Sequence, residues 1–163
     1  MKQITRKSPT RKTLVLGTGR KPYSGATHHD ITKHSTHIDI AHNLSLLPWP
    51  WHDGAFDFII AESVLEHLDI DLLEAMNEAW RVLETHGRIH IKLPYWNSEV
   101  TWNDPTHRRG YGLGIFDQFD DKTERGTEYN FYTPRRWRIL KPAKLNKSKS
   151  SLLATLRKIE CRK

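Results

Sequence analysis

The two glycines of Leu16-Gly17-Thr18-Gly19 and the carboxylate of Asp30, eleven residues after Gly19, are the first residues whose types and spacing suggest chemistry. A glycine turn at the carboxyl end of a strand lets the main chain approach a ligand closely. An acid ending the next strand can accept hydrogen bonds from two ribose hydroxyls. The complete dinucleotide pattern Gly-x-Gly-x-x-Gly is missing, because Pro22 stands where its third glycine would be. A nicotinamide or flavin dinucleotide is therefore disfavoured. In Asn103-Asp104-Pro105-Thr106-His107, Asp104 and His107 are the foremost candidates for acid–base work, followed by Glu62 and His67. Both histidines also have structural alternatives, His67 in helix capping or packing and His107 in bonding its own loop. His28, His29, His34 and His37 crowd around Asp30. They lack a helical His-x-x-x-His spacing, so they are expected to be loop or surface histidines, and no metal is expected. Trp49, Trp51, Tyr95, Trp96 and Trp102 suit either a stacking wall or ordinary packing.

These residues need elements to position them. Thr13–Leu16 is a short apolar run before the glycines and reads as a buried strand. Arg20–Gly25, with Pro22 and Gly25, reads as irregular loop. Ala26–Ile31 and His37–Ile40 are short and strand-like. Leu47-Pro48-Trp49-Pro50-Trp51 cannot be helical, because proline lacks a donor and extends the residue before it. Asp53-Gly54 is a turn, and Phe56–Ala61 is a second buried strand. Between Asp71 and Leu83 the apolar residues recur with helical spacing. His86-Gly87 is expected to stop that helix, with Gly87 in the left-handed capping position. Arg88–Leu93 reads as a strand closed by Pro94. Tyr95–Asp121 has no clean period and is expected to be loops with one short helix. Trp137–Leu140 and Leu152–Ile159 read as strands of a closing hairpin. A glycine turn after the first strand and a helix between two later ones favour a parallel α/β sheet.

A chain of 163 residues is long enough for one domain with a substantial core. Its single cysteine, Cys161, excludes an internal disulfide framework and a multi-cysteine zinc ribbon. No apolar run reaches the length of a membrane span, and no hydrophobic stretch follows the basic start, so a soluble, cytoplasmic protein is expected. The net charge of +7 is unevenly spread. Residues 1–12 carry five basic and no acidic side chains, and residues 135–163 carry eleven basic ones against Glu160 alone. The body between is acidic. Basic ends are common in solvated termini, and they also leave nucleic-acid binding open.

Three segments in order carry a resemblance: the glycine turn with Asp30; Ala61-Glu62-Ser63-Val64-Leu65-Glu66-His67-Leu68; and Glu78-Ala79-Trp80-Arg81-Val82-Leu83 followed by Gly87 and Pro94. Over about residues 13–95 the chain resembles the class I S-adenosylmethionine-dependent methyltransferases. The likeness is to the subgroup with Leu-Glu-His-Leu after the fourth strand and Arg-Val-Leu ending the next helix. It implies an α/β, Rossmann-like fold: a mostly parallel seven-stranded sheet with an antiparallel closing strand, and helices on both faces. It implies a single domain over 13–159, between basic segments 1–12 and 160–163. It implies S-adenosylmethionine at the strands' carboxyl edge, contacted by Leu16, Gly17, Thr18 and Gly19. Asp30 would hold the ribose, Ile31 would lie against adenine, and Asn43 and Leu44 would sit beside the adenine amino group. Ala61, Glu62 and Ser63 would lie near the methionine part. Asp104-Pro105-Thr106-His107 also matches an element found after the fifth strand in some members.

The chain departs from the pattern at Val15, where an acid is usual, at Asn43 in place of Asp, and at His86 in place of Gly. Amino-directed DNA methyltransferases carry Asp/Asn-Pro-Pro-Tyr/Phe where this chain has Ala61-Glu62-Ser63-Val64. Cytosine C5 methylation needs a cysteine, and Cys161 lies far from every motif. The expected activity is methyl transfer to an O, N or C nucleophile on a small molecule or a glycan- or lipid-like acceptor. A homodimer partner or the 95–134 region would supply substrate recognition. The alternatives are a non-catalytic binding protein and an enzyme that cleaves S-adenosylmethionine.

Overall fold

A computed structural model describes residues 12–160; the basic residues before 12 and Cys161 lie outside the described residues. Seven strands form one sheet: β1 (Thr13–Leu16), β2 (Ala26–Asp30), β3 (Ile40–Ala41), β4 (Phe56–Glu62), β5 (Leu83–Pro94), β6 (Arg136–Leu145) and β7 (Ser151–Ile159). Their spatial order is β3-β2-β1-β4-β5-β7-β6. The pairs from β3 through β5 are parallel, and β7 runs antiparallel to both β5 and β6. The mostly parallel sheet with an antiparallel closing strand is thus the expected one. Because β1 lies between β2 and β4, the carboxyl ends of these three strands open onto a common crevice. That is where ligands bind in such sheets.

Helix is sparse. α1 (Leu72–Val82) is the one long helix among the described residues; α2 (Glu99–Trp102) and α3 (Glu124–Glu128) are a turn or little more. Asp71 starts α1 with a capping box, accepting from Glu74 N at 2.8 Å while Glu74 Oε2 accepts from Asp71 N at 3.1 Å. Leu72, Ala75, Met76, Ala79 and Val82 then form one buried stripe. The stripe packs in one cluster with Leu14, Leu16, Ile59, Ala61, Ile89 and Ile91. The side chains between these on the strands, such as Phe58, Ile60, His90 and Lys92, remain half-exposed on the other face. Both parallel crossovers that flank the glycine turn, residues 17–25 and 31–39, contain no helix. Pro22 and Gly25 forbid one in the first. None of the described helices is long and apolar enough to cross a membrane.

Two local expectations are corrected. The helix stops at Val82, and Leu83 is already strand, pairing with Phe56 before a bulge that brings Phe58 opposite Arg88. The left-handed residue is His86, at φ 65°, and not Gly87. Gly87 answers a different need, because a Cβ there would meet the Glu84 carbonyl at 2.9 Å and Leu83 at 3.0 Å. The strand expected at His37–Ile40 is only Ile40–Ala41. Asp39 accepts the His28 N–H with its side chain at 2.8 Å, which occupies a donor that a longer ladder would use.

The proline- and tryptophan-rich segment before β4 is fastened to α1 by Arg81. Its guanidinium donates Nε to Glu78, Nη1 to the Trp51 carbonyl and Asp53, and Nη2 to the Trp49 carbonyl and Glu78. All five N–H groups are thereby used, a pattern no lysine can reproduce. Glu78 also accepts Trp49 N–H at 2.8 Å, and Trp49 is 2% exposed. Arg81→Ala is expected to lower the unfolding free energy by about 3 kcal/mol or more, since it strands a partly buried carboxylate and two carbonyls. Arg81→Lys should recover only part of that, as read from urea denaturation midpoints.

Candidate active site

The glycine turn leaves β1 with no helix to hold it and is held instead by the end of β2. Gly19 N–H donates to Asp30 Oδ2 at 2.9 Å, and Thr18 N–H to the His29 carbonyl at 2.9 Å. His29 is buried. Its Nε2 lies 2.8 Å from the His42 carbonyl, which only accepts, so Nε2 carries the ring proton and Nδ1 faces Gly17 N–H at 3.5 Å as acceptor. Burial holds this ring below its ordinary pKa and hence neutral, with the His42 bond opposing. From the far side His37 Nε2 reaches the Gly19 carbonyl at 3.1 Å, and His28 Nε2 accepts Tyr23 N–H at 2.8 Å. The histidine-rich stretch therefore works as loop scaffolding, and its rings bind main chain.

Both glycines have positive φ, 61° at Gly17 and 59° at Gly19. They differ in surroundings. A Cβ on Gly17 would lie 2.8 Å from Val64 Cγ2, whereas one on Gly19 would meet nothing within 4 Å. Val64 follows β4, so Gly17 is the point where the ends of two strands touch.

Asp30 also accepts Ile31 N–H at Oδ1 (2.8 Å) and lies 3.4 Å from His34 Nε2. Burial opposes its charge, yet the N–H groups of Gly19 and Ile31 and the His34 ring outweigh it, so the carboxyl titrates below the usual range. Oδ2 is engaged by Gly19 and His34, and Oδ1 keeps a lone pair for a further donor. A cavity of about 440 Å³ opens beside it, lined by Gly17, Gly19, Asp30, Ile31, Asn43, Leu44 and Ser63 among others. That is within the usual size of a small-molecule site. Ile31 is 62% exposed on its rim, an apolar side chain offered to a ligand. Asn43 accepts Ser45 N–H at 2.9 Å, so its amide NH₂ is the end left for a ligand.

The remaining sequence-derived residues sort into three groups. Leu16, Thr18 and Glu62 line a second cavity of about 330 Å³, which Gly17 and Ser63 share with the first. Ala61 is fully buried in the core and lines neither. His107 lines a third, of about 380 Å³, with His67, Pro105, Thr106 and Arg108. His67 and Arg108 also line the first cavity, so the first and third adjoin. Asp104 lines none of these. Its Oδ1 accepts both Thr106 N–H (2.8 Å) and Thr106 Oγ–H (2.6 Å), so it shapes the loop. Sequence reasoning passed over Val64, Ser45, His42 and Arg108; only Val64, set in the Leu-Glu-His-Leu stretch, carried any local signal.

Gly17→Ala is expected to cost about 2 kcal/mol or more, because left-handed strain adds to the Val64 collision. Gly19→Ala should cost about 1 kcal/mol, from strain alone. Paired urea denaturation curves test the difference.

Comparison with known proteins agrees with this geometry. The family described as methyltransferase domain matches residues 26–91, from β2 into β5. The sequence matches no curated protein. Among solved structures, the YcgJ protein of Bacillus subtilis is 15% identical, covers 92% of each chain and superimposes with a TM-score of 0.59. An S-adenosylmethionine-dependent methyltransferase of Archaeoglobus fulgidus is 11% identical, covering 91% of this chain and 86% of its own, at 0.58. The N-methyltransferase NodS of Bradyrhizobium japonicum, solved with S-adenosylhomocysteine, is 16% identical, covering 92% and 79%, at 0.57. Such identities speak for the fold, and the family match covers β2 to β4 and most of β5 but not β1 or its glycine turn. Over residues 26–91 the chain is similar to the methyltransferase-domain family, and its fold is that of the S-adenosylmethionine-dependent methyltransferase structures it resembles.

Proposed function

We propose that the protein moves the methyl group of S-adenosylmethionine to an oxygen or nitrogen nucleophile of a small molecule, with the cofactor in the first cavity and the acceptor entering through the third. The observation that carries this reading is the Asp30 carboxylate, fixed by Gly19 N–H at 2.9 Å and bordering the 440 Å³ cavity together with Ile31 and Asn43.

The residues present suit the cofactor. Asp30 would take the ribose hydroxyls, Ile31 the face of adenine, and the Asn43 amide the ring edge. Val15, at the place of the usual acid, is 3% exposed and cannot serve the amino-acid end. A carboxylate is nevertheless available one strand over, at Glu62, 40% exposed beside Gly17 and Thr18. When bound, the cofactor supplies an electrophilic methyl carbon on a sulfonium centre. The protein's task is then to align a nucleophile with that carbon and exclude water.

His67 and Arg108 sit where the two cavities meet. Arg108 is paired with Asp69 at 2.6 Å, so it is held in place as a wall. His67 and His107, rings 4.8 Å apart, face the acceptor's nucleophile where the two cavities join. Asp104 acts through Thr106 on His67 as a positioning residue. The acidic body around the cavities favours a small acceptor over a nucleic acid.

Calorimetry with S-adenosylmethionine and S-adenosylhomocysteine tests the cleft without knowledge of the acceptor. Micromolar binding is expected, weakened at least ten-fold in Asp30→Ala. Absence of binding at millimolar ligand would sink the reading. Following a labelled methyl group and a labelled methionine part then separates transfer from cleavage of the cofactor.

A further inference from the structure

Glu66, in the turn after β4, is 1% exposed, and its Oε2 has no hydrogen-bond partner. Among the described residues the one group within ion-pairing distance is His107, whose Nε2 lies 3.8 Å from Oε1. A buried carboxylate without donors is unfavourable unless a proton or another cation satisfies it.

The two imidazoles beside it have their tautomers set by their other nitrogens. His107 Nδ1 lies 2.7 Å from the Thr101 carbonyl, which only accepts, so Nδ1 is protonated and the neutral ring presents the Nε2 lone pair. His67 Nδ1 lies 2.9 Å from Thr106 Oγ1. The Thr106 hydroxyl proton is already given to Asp104 Oδ1 at 2.6 Å. Thr106 therefore accepts from His67 Nδ1–H, and the His67 lone pair is on Nε2 as well. One ring nitrogen of each histidine and a carboxylate oxygen of Glu66 lie within 4.8 Å of one another. Asp104 Oδ2 is 3.8 Å from His107 Nε2. Two imidazole lone pairs and the Glu66 carboxyl oxygens thus gather at one point. Each ring is oriented through Nδ1 by an oxygen, as metal-binding histidines commonly are.

We infer that Glu66, His67 and His107 form a binding site for a divalent transition-metal ion of zinc-like preference, with Asp104 in reach as a further ligand. Two imidazoles and a carboxylate suit zinc, cobalt or nickel, and poorly suit magnesium or calcium, which take oxygen. A tetrahedral site with bonds of about 2.1 Å has ligand atoms roughly 3.4 Å apart. The 3.8 Å between His107 and Glu66 closes to that by small side-chain rotations.

The site lies at the seam of the donor and acceptor cavities, and its catalytic meaning rests on the reading proposed above. An ion there polarises an acceptor hydroxyl and lowers its pKa. The hydroxyl proton leaves to water, the oxygen forms a bond to the methyl carbon, and the methyl–sulfur bond breaks, its electron pair returning to sulfur. The acceptor class is accordingly a hydroxyl compound, O-methylated.

The test uses the chelator-treated, dialysed chain, titrated at neutral pH with Zn²⁺ by calorimetry and with Co²⁺ by visible absorption. One equivalent of Zn²⁺ should bind with micromolar or tighter affinity, and Co²⁺ should show the intense bands of low coordination number. His107→Ala, His67→Ala and Glu66→Gln should each weaken Zn²⁺ at least ten-fold. His52→Ala, elsewhere on the surface, should not. Far-UV circular dichroism of each variant shows that it is folded, and the wild type is also titrated with S-adenosylhomocysteine. Wild type that binds S-adenosylhomocysteine but no metal, or metal affinity that survives in both histidine variants, overturns the metal site alone. Wild type that binds stoichiometric Zn²⁺ but no S-adenosylhomocysteine supports the site and overturns its assigned part in methyl transfer.

Discussion

The clasp between the end of β2 and the glycine turn after β1 is the constraint on which the cleft depends. In a parallel sheet the turn that meets a ligand is ordinarily steadied by the helix that follows it. Here residues 17–25 contain no helix, so no helix N-terminus fixes where Gly17 and Gly19 stand. Side chains and carbonyls of the neighbouring strand do so: Asp30 on Gly19, His29 on Gly17 and Thr18, and His37 on Gly19 from beyond. Asp30 thus has one task in the fold and, under the proposed function, a second at the ligand, and its charge strengthens both. It holds the turn with one lone pair of Oδ2, and under the proposed function the free lone pair of Oδ1 takes a ribose hydroxyl. The donors that depress its pKa keep it ionised for both.

The rest of the molecule supplies the stiffness that such a clasp needs. β1 is short, and its register is set on both sides, by β2 through Val15 and His28 and by β4 through Val15 and Ile60. β4 is in turn locked to β5 and to the α1 stripe, where Ile59, Ala61, Ile89 and Ile91 have no exposure. Arg81 then draws the 49–53 segment onto α1, and Trp51 packs edge-on against both His29 and Phe56. The core is therefore continuous with the ring that accepts Gly17 N–H. A loss of order around Trp51 would be felt at the glycine turn.

Much of this was legible before any coordinates. The apolar runs at Thr13–Leu16 and Phe56–Ala61 and the period from Asp71 to Leu83 mark elements whose burial is decided by their own side chains. The glycines with Asp30 mark a turn whose purpose is written in residue type. What stayed hidden depends on partners distant in sequence. Gly87 read as a helix stop because a glycine after a helix usually is one. Its actual constraint is the packing of Leu83 and Glu84, which only the bulge against β4 creates. Ala61 read as cleft floor from its place in the motif, but the pleat turns it into the core. The histidines around Asp30 read as surface or loop. Their bonds to main chain at Gly17, Gly19 and Tyr23 follow from the fold of two helix-free crossovers, which no local pattern announces.

The segment from Ala61 to Leu68 shows why the three cavities are mechanically one unit. Ala61 is anchored in the core, Glu62 faces the second cavity, and Ser63 turns sharply at φ 54° with its N–H on the Lys92 carbonyl at 3.0 Å. That left-handed residue is strained for a serine, and strain of this kind persists only where the surroundings over-determine it. Here they do. Val64 is pressed into the space left by the missing side chain of Gly17, and Leu65 and Leu68 are buried on either side of Glu66 and His67. The Glu66 carbonyl accepts Arg108 N–H at 2.8 Å, which ties the 104–108 loop to the same turn. A shift of Val64 against Gly17 would consequently move His67 relative to Asp30. Under the proposed function this one strained turn sets the distance between nucleophile and methyl donor, so contacts far from either ligand would govern their alignment.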